Sequence, residues 1–131
     1  MNARIVLFGL EDTLASELRD VLAHQQHTVH VEPLLSPRKC VDVVRWSGAD
    51  LIFCASDRKQ YLALLEIVRQ HKPGLPVVVV SRAPQVADWL DAIEAGASDY
   101  CTAPFEPSHI HWILDSTLKH HSSAALYRAA G

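Results

Sequence analysis

The sequence predicts a single α/β domain: a parallel five-stranded sheet covered by helices on both faces. Three observations predict it. Two periodicities alternate five times along the chain, short strand-like apolar runs and longer stretches with apolar residues at three- and four-residue spacing. The apolar runs are nearly continuous, as in strands buried on both faces. The connections between them are short, and strict strand–helix alternation of this kind gives right-handed crossovers between parallel strands. At 131 residues the chain suits one domain, long enough to bury roughly two thirds of its unfolded surface.

The strand runs are Ile5–Phe8, Thr28–Val31, Leu51–Cys54, Val77–Val80 and Asp99–Thr102. The first helix carries Leu14, Leu18, Val21 and Leu22 at offsets 0, 4, 7 and 8, with Asp12 as its expected cap. Ser36-Pro37 reads as a cap followed by proline at the first helical position, and Cys40, Val41 and Val44 supply the second stripe. Tyr61, Leu64, Leu65 and Val68 mark the third helix, which ends before Lys72-Pro73-Gly74. Pro84 opens the fourth, whose stripe of Val86, Leu90 and Ile93 stops at Gly96, a left-handed cap. Pro107 opens the fifth, with Ile110, Leu114, Thr117 and Leu118 facing the core.

Composition narrows the class. The chain is 49% hydrophobic and 21% charged with a formal net charge of −3, so no basic excess points to nucleic acid. The apolar run at the N-terminus, Ile5 to Phe8, is too short for a signal-peptide core or a membrane span, and a cytoplasmic location is expected. Cys40, Cys54 and Cys101 form no CxxC pair and read as buried small hydrophobes.

Three stretches carry a family resemblance. "GASDYCTAPFEP" (96–107) resembles the ending of response-regulator receiver domains, where a Gly-Ala-x-x-Tyr strand runs into Lys-Pro-Phe. "LPVVVVSRA" (75–83) is similar to their fourth strand, and "ARIVLFGLEDTLASELRDVL" to their first strand and helix. The resemblance covers residues 3 to about 120. It implies a doubly wound (βα)5 three-layer sandwich of flavodoxin-like type, strand order 2-1-3-4-5. Residues 1–121 would form this domain and 122–131 a tail, either a helix extension or a linker. It leaves room for a fused effector or sensor domain beyond residue 131.

The family moves a phosphoryl group from a histidine kinase to an aspartate, and the resemblance implies five functional positions. A carboxylate at the end of strand three attacks phosphorus. Two acids after strand one hold Mg²⁺. A lysine before Pro-Phe pairs with the phosphoryl oxygens, and a hydroxyl ending strand four couples them to a rotating aromatic on strand five. Carried over residue by residue, most of this is missing. Ala55 stands at the nucleophile position, Gly9 and Leu10 at the acid pair, and Ala103 at the lysine. Only Ser81 and Tyr100 match. The loss is electrostatically coherent, because converging carboxylates need a cation and an unpartnered lysine in a half-buried site is costly. The expectation is a pseudo-receiver with no cofactor and no catalysis, acting by protein binding or dimerisation.

Competing sites are weaker. Glu11, Asp12 and Asp57 lie just beyond the lost acids and could hold a displaced Mg²⁺ for phosphoryl chemistry, but the favoured reading is that Asp12 and Asp57 cap helices one and three and Glu11 sits at the positive end of helix one. A small ligand in an apolar pocket near Ala55, Ser81 and Ala103 is a third reading. Among the eight histidines, His24, His27 and His30 step by three across a helix end, and no metal-ligand spacing appears. The turn Gly9-Leu10-Glu11-Asp12 has one glycine and two acids, which disfavours a dinucleotide, and no GxSxG elbow occurs. On the fifth helix Trp112 lies about 200° around from Ile110 and so points outward, flanked by Ile113. In the family the surface of helix four, strand five and helix five binds partners or a second copy, and Tyr100, Trp112 and Ile113 map there. A tail folded over Trp112 is the competing explanation. Trp89 is assigned to the core.

Overall fold

The structure, a computed structural model, describes residues 3–25, 27–32, 37–46, 48–82 and 86–130. Five strands alternate with five helices: β1 (Arg4–Phe8), α1 (Asp12–His24), β2 (Thr28–Glu32), α2 (Pro37–Trp46), β3 (Leu51–Ala55), α3 (Arg58–His71), β4 (Val77–Ser81), α4 (Val86–Glu94), β5 (Asp99–Thr102) and α5 (Pro107–Ala130). All strand pairs are parallel and the order is β2-β1-β3-β4-β5, the doubly wound, flavodoxin-like arrangement. Ser36 and Pro84, the expected openers of α2 and α4, lie outside the described residues.

Strand side chains alternate between faces, so β1, β3, β4 and β5 each feed two cores, while the edge strand β2 adds only Val29 to one of them. Ile5, Leu7, Leu51, Phe53, Val78, Val80 and Cys101 pack under α1 and α5. Val6, Phe8, Ile52, Cys54, Val77, Val79 and Tyr100 pack under α2, α3 and α4. Phe53 is fully buried at the centre, a position worth about 1.5–3 kcal/mol of apolar transfer. This two-sided burial is why the runs Ile5–Phe8, Leu51–Cys54 and Val77–Val80 carry no polar alternation, whereas the edge run Thr28–Val31 does.

Four expectations about the helices are corrected. Asp12 does not cap α1: it is the first helical residue, and Glu11 occupies the cap position without a side-chain capping bond. The carboxylate of Glu11 is engaged elsewhere. Ile113 is fully buried, not a neighbour of Trp112 on the surface. It lies three residues after Ile110 and four before Thr117, so helical spacing places it on the core stripe with Leu114.

The other two corrections concern α4. Trp89 is not core but 45% exposed, and its neighbours Leu90 and Ile93 are also exposed. Among the described side chains of α4, the one completely buried is Ala92. A sheet contact made through alanine lets the helix lie close to β5, which turns the bulky side outward. The chain leaves α4 in a Schellman turn: Gly96 N–H donates to the Ile93 carbonyl (3.1 Å) and Ala97 N–H to that of Ala92 (3.0 Å). Gly96 has φ +113°, a conformation that favours glycine.

Candidate functional site

The site is the row of loops at the carboxyl ends of the strands, where open α/β sheets place their chemistry. Register levels these ends: Ala55 pairs with Val80, and Ser81 with Thr102. Because β3 lies between β1 and β4, its terminal residue, Ala55, sits at the centre of the row. Gly9 and Leu10 follow β1, and Leu10 packs against the α1/α5 core. Ala103 follows β5 and packs against the same core, its N–H donating to the Ser81 carbonyl at 2.9 Å and its peptide to Pro104 being cis. Ser81 itself is buried.

Gly9, Leu10, Ala55 and Ala103 supply no carboxylate and no amine. The residues at these positions therefore do not fit a Mg²⁺–phosphoryl site, which needs hard oxygen donors and a charged partner. Nor do the displaced acids converge. Asp57 caps α3 by accepting the Lys59 N–H at 3.2 Å. Glu11 Oε1 accepts from Arg82 Nε at 2.7 Å and from the Thr13 hydroxyl at 2.7 Å, while Arg82 Nη2 donates to Thr13 Oγ1 at 2.6 Å. These bonds, the Thr13 hydroxyl first and Arg82 second, hold the Glu11 carboxyl below its usual range. Among the described residues no group of three or more His, Cys, Asp or Glu side chains is gathered for a metal ion.

Of the three residues expected on the interaction surface, only Trp112 is exposed, at 60%. Tyr100 is 8% exposed with its ring in the α2–α4 core, and its hydroxyl finds no hydrogen-bond partner among the described residues. Sequence reasoning missed the exposed face of Trp89, Leu90 and Ile93. A signal was present: α4 carries the small residue Ala92, and Ala95 and Ala97 follow the helix, small side chains that suit close packing against the sheet. Two surface grooves lie away from Ala55. One of about 630 Å³ runs between α3 and the end of α4, lined by Leu62, Leu65, Leu75 and Glu94. Another of about 480 Å³ lies beside β2, lined by Val29, His30 and Trp46.

The three cysteine thiols are buried. Burial pushes the Cys40 thiol up to about 11 and those of Cys54 and Cys101 up to about 12, so all three stay protonated and unreactive. His27 accepts the Ala3 N–H at Nδ1 (3.1 Å), and burial first, then nearby positive charge including His111, lowers its pKa.

No family model and no curated protein matches the sequence. Solved structures do match. NtrX from Brucella abortus in complex with ADP superposes with a TM-score of 0.86 at 20% identity, over 99% of this chain and 29% of that one. A two-component response regulator from Clostridium difficile gives 0.73 at 15% identity, over 89% of this chain and 96% of that one. The beryllofluoride-activated NtrC4 receiver domain dimer gives 0.75 at 14% identity, over 90% and 98%. The chain thus has the fold of response-regulator receiver domains, and it spans under a third of the length of NtrX. Among the described residues no helix is long and apolar enough to cross a membrane.

Proposed function

We propose that this chain is a pseudo-receiver: a receiver-fold module of bacterial two-component signalling that binds a protein partner or a second copy without being phosphorylated. The observation that carries the reading is the site itself, where Gly9, Leu10, Ala55 and Ala103 occupy the four positions at which receiver chemistry needs charge. Binding is the function left to such a domain. Its surface is the face of α4, β5 and α5, where Trp89, Leu90, Ile93 and Trp112 are exposed. Tryptophans are the commonest anchors of protein interfaces. The engagement of Glu11 by Arg82 and of Asp57 by α3 speaks against a displaced Mg²⁺ enzyme. Residues 122–131 would lead from α5 into an effector or sensor domain where the chain continues.

The test is intact-mass measurement after incubation with acetyl phosphate and Mg²⁺. No added mass is expected. A hydroxylamine-labile adduct on Asp57 or Asp12 would sink the reading and restore the displaced-acid alternative. Ala55→Asp alone should also gain no phosphoryl group, because the metal ligands and the lysine supply most of the charge stabilisation.

A further inference from the structure

Sheet order sets the carboxyl end of β3 between those of β1 and β4. Among the described residues, the two flanking connections are joined by Glu11, at the cap position of α1, and Arg82, the residue after β4. With Thr13 they close a ring of three hydrogen bonds, all between 2.6 and 2.7 Å. We propose that this Arg82–Glu11–Thr13 ring is a built-in latch that fixes the start of the β4–α4 connection across the end of β3, and so holds α4 and Tyr100 in one arrangement without a phosphoryl group. The inference rests on the phosphorylation-independent reading above and gives it a physical means.

Both ends of the latch are anchored. The Glu11 carbonyl accepts the Ala15 N–H at 2.9 Å, the first bond of α1. Arg82 directly follows Ser81, which is buried and whose carbonyl is bonded to Ala103 N–H. The guanidinium uses two donors of its fixed fork on two different acceptors, a geometry a lysine cannot reproduce. The link to Tyr100 is packing. Its ring lies in the same core as Ala92 of α4, and its hydroxyl has no bond of its own among the described residues. In the proposed latch, the position of α4 over this core is what keeps Tyr100 inside. A metal and a phosphoryl group would tie these loops through charge from outside the chain; the latch ties them with the chain's own opposite charges.

The test uses the full chain with no phosphodonor and no added metal. Amide hydrogen exchange is followed across α4 and β5, and the Tyr100 ring by fluorotyrosine NMR. Arg82→Ala and Glu11→Gln should each speed exchange of α4 amides about two- to fivefold, the scale of a partly exposed ion pair, and shift the Tyr100 signal. The double variant should be no faster than the worse single one, since both remove the same ring. Arg82→Lys should fall between wild type and Arg82→Ala. Unchanged α4 exchange and an unmoved Tyr100 signal in Arg82→Ala, or strictly additive effects, would overturn the latch. A phosphorylated adduct in the separate mass experiment would overturn the pseudo-receiver reading instead, so the two failures are distinguishable.

Discussion

Three tryptophans are exposed, and two of them make the sharpest residue-scale contrast with a buried neighbour. Trp112 and Ile113 are adjacent, yet one is 60% exposed and the other fully buried. Ile113→Ala should cost about 2–5 kcal/mol of folding stability as a core truncation. Trp112→Ala and Trp89→Ala should each change stability by about 0.5 kcal/mol or less, as surface substitutions do. If the tryptophans anchor an interface, either change should cost about 2 kcal/mol or more of association free energy. Urea melts and light scattering on the three variants read both quantities, and a large folding loss in Trp89→Ala would contradict its place on the surface. His27 supplies a pH signature. Its folded pKa lies below the ordinary 6.5, so the unfolded chain binds a proton that the folded one resists. Stability should fall as the pH drops below that ordinary value and through the lowered one. His27→Asn keeps an acceptor for the Ala3 N–H and cannot titrate, so the loss of melting temperature between about pH 7.5 and about pH 5 should shrink. An undiminished loss in His27→Asn would assign the effect to other groups.

Helix α4 shows how an element can obey its own pattern and still be read inside out. Its large apolar residues Trp89, Leu90 and Ile93 fall on one arc, which periodicity alone assigns to the core. The sheet takes Ala92 instead, so space under the helix, not hydrophobic size, decided the orientation. Ala92→Leu is accordingly expected to destabilise by about 1–3 kcal/mol through overpacking against Tyr100 and β5. Gly96→Ala tests the turn that follows. A Cβ there meets nothing within 4 Å, so its cost comes from the positive φ alone, about 1–2 kcal/mol. Denaturant melts check both, and a neutral Gly96→Ala would show that the turn adopts another conformation.

At the scale of the whole molecule the two-sided sheet is insulated from its site. The strands are held by two apolar cores, while the loops at their carboxyl ends contribute Gly9, Leu10, Ala55 and Ala103, and among the described residues no group of three or more acids, histidines or cysteines gathers there. A domain with a repelling acid cluster gains stability when Mg²⁺ relieves it, because a ligand that binds only the native state raises the melting temperature. Here millimolar Mg²⁺ should leave the melting temperature unchanged. A saturable rise of several degrees would point back to Glu11, Asp12 and Asp57. The sequence by itself determined the five-fold alternation and the parallel sheet. Continuous apolar runs such as Leu51–Cys54 can be satisfied only between two helical layers. It also determined which residues stand at these strand ends, since Ala55 ends a strand and Gly9, Leu10 and Ala103 follow one by one or two places. Tertiary structure alone decided which bulky side chains face water and which charges meet. Trp89 and Ala92 share one helix, and only the sheet beneath could choose between them. Glu11 and Arg82 are 71 residues apart, and only the strand order brings their loops to either side of β3.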